Sequence, residues 1–181
     1  REVGKLAEAE ASYKQAISLK PDSVEAYYNL GNMFKDLGRL NEAEASYKQA
    51  VALKPDFADA HNNLGNTLID LGRTGEAEGS YKQAITLEPN LAEAHNNLGN
   101  MFKNLGRLNE AEASYKQALA LRPDYAQVHR SFASIKKFQT QDEQYLSMQS
   151  LHLDKNISEE KRCDVNFGLA KACEDLENFE Q

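Results

Sequence analysis

The sequence predicts an all-α fold, a stack of antiparallel helix pairs, and three observations predict it. Pro21, Pro55, Pro89 and Pro123 stand 34 residues apart. Gly31, Gly65 and Gly99 keep the same step, each preceded by leucine. Every copy then carries Ala-x-x-x-Tyr in its second half: Ala43 with Tyr47, Ala77 with Tyr81, Ala111 with Tyr115. A fixed period of this length marks a repeat array, in which each unit buries its apolar face mainly on its neighbours. A deep central pocket is therefore not expected in the 181-residue chain.

The chain opens inside a unit, and residues from about Glu2 to Leu19 are expected to form a lone second helix. Three helix pairs follow, with first helices near 23–37, 57–71 and 91–105 and second helices near 40–53, 74–87 and 108–121. Asp22, Asp56, Asn90 and Asp124 follow the prolines as N-cap types, and Glu25, Glu93 and Gln127 three residues on suggest capping boxes. Each proline stops the preceding helix from running on. Gly38, Gly72 and Gly106 lie between the helices of a pair, where glycine can take the left-handed conformation that ends a helix. Gly31, Gly65 and Gly99 instead fall inside helices, at a cost of about 1 kcal/mol each against alanine. The offsetting gain is expected to be close packing of the paired helices around Leu30, Phe34, Leu37, Leu40, Ala43, Tyr47 and Ala50. Leu68, standing where the other copies have Phe34 and Phe102, joins Gly75 and Gly79 to make Thr67 to Ala84 the softest part of the central array.

After Tyr125 the pattern decays. His129, Phe132 and Ala133 still align with a first helix, Lys136 replaces its aromatic and Thr140 its glycine. Residues 141–153 are expected as the second helix of that unit, and a last helix is expected from Ser158-Glu159-Glu160 to about Leu176, with a turn approaching at 175–179. The organisation is thus a half repeat at 1–23, full repeats at 24–57, 58–91 and 92–125, a degenerate repeat at 126–159 and the start of another at 160–181. Units cut at both ends read as a piece of a longer protein.

At these prolines, glycines, alanines and tyrosines the chain resembles the tetratricopeptide repeat family, strongly from Val24 to Tyr125, with Tyr27, His61 and His95 where the family usually has tryptophan. The resemblance implies a right-handed superhelical α-solenoid whose first helices line the concave surface, and a protein or extended peptide as partner. The tail is similar to segments that join such repeats to sulfotransferase-like domains in some bacterial proteins. No phosphate-binding glycine loop occurs in the chain itself.

Asparagine is the most informative residue type. Asn29, Asn32, Asn62, Asn63, Asn66, Asn96, Asn97 and Asn100 all fall on first helices. Stacking would set Asn29, Asn63 and Asn97 in one row and Asn32, Asn66 and Asn100 in another, similar to the ladder in the repeats of O-GlcNAc transferases. An amide offers both donor and acceptor, so such rows can grip a peptide backbone without selecting its side chains. Duplication alone is the competing account, with some amides bonded only within the array. The carboxylate clamp of related repeats needs cations here; Tyr28, Asn62 and Asn96 occupy the matching places, and Arg130 is the one cation, counted with the peptide-binding set.

His61, His95 and His129 recur at one place per repeat, yet helices pack about 8–10 Å apart while zinc needs ligands within about 2.1 Å, so packing is their expected role. Glu25, Asp59 and Glu93 recur at capping positions with no nucleophile beside them. No catalytic residue, metal or cofactor is expected. Cys163 and Cys173 would lie roughly 15 Å apart along one helix and are expected as reduced packing thiols. The net charge of −7, with acids in every repeat, argues against nucleic acid. The apolar runs are too short for a membrane span, and the cytoplasm is the default compartment.

The expected function is therefore a non-enzymatic scaffold that holds an extended peptide or partner domain in an Asn-lined groove. The alternatives are the substrate-docking repeats of a protein-modifying transferase, and a module that self-assembles through apolar terminal faces such as Leu6, Tyr13 and Ile17.

Overall fold

A computed structural model describes residues 2–179, with side chains for residues 8–177. All its regular elements are helices, and they fall into two compact units, Arg1–Pro89 and Asn90–Gln181.

The first unit holds α1 (Glu2–Leu19), α2 (Val24–Asp36), α3 (Leu40–Leu53), α4 (Ala58–Asp70) and α5 (Thr74–Leu87). The pairs α2·α3 and α4·α5 are hairpins; α1 packs on α2 and α3 on α4. Gly38 and Gly72 make the turns at φ of 70° and 75°, the left-handed region glycine enters without steric cost. Inside the hairpins the helices nearly touch. A Cβ on Gly31 would lie 2.7 Å from Cε1 of Tyr47, and one on Gly65 2.6 Å from Cε1 of Tyr81. The mid-helix glycine is thus the socket for the buried tyrosine of the partner helix. Leu37, expected in the apolar set, is 39% exposed at the helix end.

The helix starts differ from the expectation. The N-caps are Ser23, Phe57, Leu91 and Tyr125, one residue beyond the aspartates and asparagine, and only Ser23 caps with its side chain. The reason is visible at Phe57 and Tyr125. Their backbone N–H groups close the proline turn on Lys54 and Arg122, and their rings are used in packing, Phe57 at 4.8 Å from Tyr28 and Tyr125 under the Arg122 guanidinium at 3.3 Å.

The second unit begins with the same hairpin, α6 (Ala92–Asn104) and α7 (Leu108–Leu121), turned at Gly106 with φ of 72°. It then departs from the repeat. The helix α8 (Ala126–Ala133) is only eight residues long, and its main neighbour is not α9 (Glu143–Leu153), the expected second helix, but α10 (Glu159–Phe179). Two residues account for this. Gly168 brings α10 close to α8, where an added Cβ would stand 3.5 Å from Ala133 Cβ and 2.6 Å from the Met148 sulfur. Phe138, fully buried, fills the core that α8, α9 and α10 share through Ala133, Tyr145, Met148, Val165 and Ala172. The α10 helix continues through the segment where a turn was expected.

Candidate functional site

The amide rows begin with a buried hydroxyl. Tyr47, Tyr81 and Tyr115 are 0%, 2% and 0% exposed, and a buried hydroxyl without a partner is costly. Each donates to the asparagine that follows the socket glycine on the facing helix: Tyr47 to Asn32 at 2.6 Å, Tyr81 to Asn66 at 2.7 Å, Tyr115 to Asn100 at 2.8 Å. Burial pushes the Tyr47 hydroxyl well above its usual pKa and that of Tyr115 up to about 12, so both remain donors at neutral pH. The asparagine Oδ1 is held by the tyrosine, and its nitrogen is directed elsewhere.

The amides also bond to one another. On the α2–α4 face, Asn63 Nδ2 donates to Asn32 Oδ1 at 3.0 Å and to the Tyr28 hydroxyl at 3.1 Å. In the second unit, Asn100 Nδ2 donates to Asn96 Oδ1 at 3.4 Å. Of the residues singled out by the sequence, Asn29 is exposed, while Asn32, Asn63, Asn66, Asn97 and Asn100 are half-buried. Asn62 and Asn96, expected on the open groove, are instead 3% and 7% exposed. For Asn96 the bond from Asn100 makes that burial tolerable. Sequence reasoning missed that one asparagine row serves the tyrosines. The signal was present: tyrosine rather than phenylalanine recurs in each second helix, always fifteen residues after an asparagine.

Arg130 lies in a different setting. It lines a recess of about 560 Å³ with Lys103, Gln127, Ser131, Glu160 and Asp164, on α6, α8 and α10. Asp164 Oδ1 accepts from Arg130 at 3.0 Å, and the guanidinium lies 4.6 Å from the centre of the Phe167 ring. The cation is therefore held by α10, and two acids face two bases in the recess.

The remaining recurrent side chains hold the stack together. Arg39 reaches Glu10 at 2.6 Å and also pairs with Glu42; Arg73 does the same with Glu44 at 2.7 Å and Glu76 at 2.6 Å. Hydrogen bonds from Arg39, then from Lys14, hold the Glu10 carboxyl down at about 2. His61 and His129 donate Nε2–H to the carbonyls of Pro55 and Pro123, at 3.0 and 2.8 Å, and so tie each proline turn to the helix it precedes. Among the described residues no three His, Cys, Asp or Glu side chains gather to hold a metal, and no helix is long and apolar enough to cross a membrane. Cys163 and Cys173 are free thiols but exposed, not packed as expected. Of the terminal apolar residues, Tyr13 and Ile17 are half-buried, and the side chain of Leu6 lies outside the described residues.

Residues 1–37, 31–72 and 65–106 match a family profile described as TPR repeat, and residues 92–125 one described as tetratricopeptide repeat. No curated protein sequence matches the chain. Among solved structures, the chain is similar to MamA, with 23% identity, a TM-score of 0.69 and coverage of 98% of this chain and 92% of that one. It is also similar to YrrB, described as a TPR protein with an unusual peptide-binding site, at 22% identity and a TM-score of 0.66 over 93% and 84% of the two chains. The first TPR of Spaghetti (RPAP3), bound to the HSP90 peptide SRMEEVD, matches 62% of this chain and 89% of its own at 21% identity and a TM-score of 0.60. At these identities the likeness is one of fold.

Proposed function

The chain belongs to the tetratricopeptide repeat family, and from that premise we propose that it is a protein-interaction scaffold whose first helices hold an extended peptide. The observation that carries the reading is the Tyr47–Asn32 and Asn63–Asn32–Tyr28 network. It fixes half-buried amides in place before any ligand arrives, and preorganised groups lose less entropy on binding. Because tyrosine hydroxyls occupy the carbonyl side of Asn32, Asn66 and Asn100, these rows present nitrogen donors. They suit the carbonyl oxygens of a peptide backbone, a mode that leaves side-chain identity open. In the second unit, Asn97 and the Lys103–Arg130 recess supply the polar contacts, with Phe167 for an apolar side chain. The peptide-binding site described for YrrB and the HSP90 peptide bound by the first TPR of RPAP3 support the same use of the fold.

The test is capture of a displayed library of extended peptides by the chain and by the double variant Asn63→Ala, Asn97→Ala, each checked for helical content. The reading expects capture by the parent chain and at least a tenfold loss in the variant at equal helicity. Equal capture by both, or by neither, removes the amide rows as the binding surface.

A further inference from the structure

The fixed amides on the α2–α4 face offer donors, while their acceptors are engaged inside the fold. Asn32 Oδ1 accepts twice, from the Tyr47 hydroxyl at 2.6 Å and from Asn63 Nδ2 at 3.0 Å, so both lone pairs of that carbonyl are taken. Asn66 Oδ1 accepts from the Tyr81 hydroxyl at 2.7 Å. The Asn32 amide is held in this sense, because turning it over would set its NH2 against the NH2 of Asn63. Asn32 Nδ2 and Asn66 Nδ2 have no hydrogen-bond partner among the described residues, and neither is sealed from solvent.

A donor-rich face discriminates between kinds of backbone. An ordinary extended peptide brings N–H groups as well as carbonyls, and an N–H laid against a surface without acceptors is costly. A proline-rich segment brings carbonyls alone, because proline has no N–H, and in the polyproline II conformation no internal bond occupies them. The period fits as well. Polyproline II has three residues per turn, so carbonyls that point the same way recur at about 9.3 Å. The helices α2 and α4 meet through the bonds of Asn63 to Asn32 and Tyr28, and equivalent positions on them lie one packed-helix step apart, about 8–10 Å. A β-strand returns to the same side every two residues, at about 6.6–6.8 Å, and falls short of that step.

The face also carries an aromatic wall. Tyr28 stands one turn before Asn32 on the same side of α2, half-buried, with its ring 4.8 Å from that of half-buried Phe57. Proline-rich segments dock on aromatic surfaces of this kind. In the next two copies Asn62 and Asn96 hold the place of Tyr28 and are buried, so the wall is particular to the first copy.

We infer that the α2–α4 face is a site for a proline-rich peptide in the polyproline II conformation. Carbonyls three residues apart accept from Asn32 Nδ2 and Asn66 Nδ2, and a proline ring lies against Tyr28. This rests on the reading of the first helices as a peptide groove and names the class of peptide taken in the first unit.

The probe is capped decaproline, titrated into the full chain and followed by two-dimensional NMR of the asparagine side-chain NH2 groups. A capped Gly-Ser repeat of the same length, which keeps its backbone N–H groups, is the comparison. Saturable shifts of the Asn32 and Asn66 NH2 signals are expected with decaproline, and at least tenfold weaker binding with the Gly-Ser peptide. Asn66→Asp removes the donor but keeps an acceptor for Tyr81, so it should retain helicity and weaken decaproline at least tenfold. Asn32→Asp makes the same test at the other donor should the first variant misfold. Tyr28→Leu should also weaken decaproline, and Lys103→Ala, in the second unit, should leave it unchanged. Capture of other extended peptides by a chain that does not bind decaproline overturns this inference and leaves the peptide groove standing, whereas failure of both removes the groove and the inference with it. Equal binding of the Gly-Ser peptide, or undiminished decaproline binding by the folded aspartate variants, overturns it as well.

Discussion

Two alanine substitutions of identical composition are expected to move stability in opposite directions. At Gly65 a new Cβ would stand 2.6 Å from Cε1 and 2.7 Å from Cδ1 of Tyr81, against about 3.5–4.0 Å for carbons in favourable contact. Tyr81 is 2% exposed and its hydroxyl is bonded to Asn66 at 2.7 Å, so the ring cannot swing aside without losing that bond. Overpacking of this kind costs about 1–3 kcal/mol, and the hydroxyl bond about 0.5–1.5 kcal/mol more if the ring shifts. Helix propensity returns about 1 kcal/mol. Gly65→Ala is thus expected to destabilise by about 0.5–3.5 kcal/mol. At Gly79, exposed on α5, a Cβ meets nothing within 4 Å, and the other copies carry Ala45 and Ala113 there. Gly79→Ala should stabilise by about 0.4–1 kcal/mol. Urea denaturation followed by circular dichroism, fitted with nearest-neighbour coupling between repeats, separates the two. A Gly65→Ala chain as stable as the parent would refute the socket argument.

Asn32→Ala should cost about 1–3 kcal/mol, because it removes the acceptor of the buried Tyr47 hydroxyl and one of the two acceptors of Asn63, whereas Tyr47→Phe should cost about 0.5–1.5 kcal/mol; the same denaturation assay ranks them. The His129 pKa is depressed chiefly by burial, against the Pro123 bond and Asp124. Its contribution is present above the ordinary value of 6.5 and declines as pH falls below it, so acidification from pH 7 to 5 should lower the melting temperature and His129→Leu should lessen that drop. The Glu10 carboxyl, depressed by Arg39 and then Lys14, contributes above the ordinary 4.5 and loses its contribution as pH falls toward about 2; Glu10→Gln should flatten the stability profile in that lower window. Hydrogen exchange should be faster across Thr67 to Ala84 than across the matching stretch of the α6–α7 hairpin, and Gly79→Ala should narrow the gap.

The sequence by itself determined the helix hairpins. The second helices at 40–53, 74–87 and 108–121 agree with α3, α5 and α7, and the left-handed glycines fall at 38, 72 and 106. These features are local: period, turn chemistry and glycine position act within one unit and repeat three times. Tertiary structure decided what depends on partners far along the chain. Spacing put Asn62 and Asn96 beside their neighbours on one helix face, but burial is set by the adjoining helix, and they turned inward. Spacing also grouped Asn32, Asn66 and Asn100 as ligand contacts, while buried tyrosines on the facing helices engage their oxygens. After Tyr125, where the repeat decays, pairing was settled by Phe138 and Gly168, which draw α10 onto α8. A single substitution in a repeat keeps the local helix signal and still changes which helix fits against it, because packing responds to shape contributed by both sides.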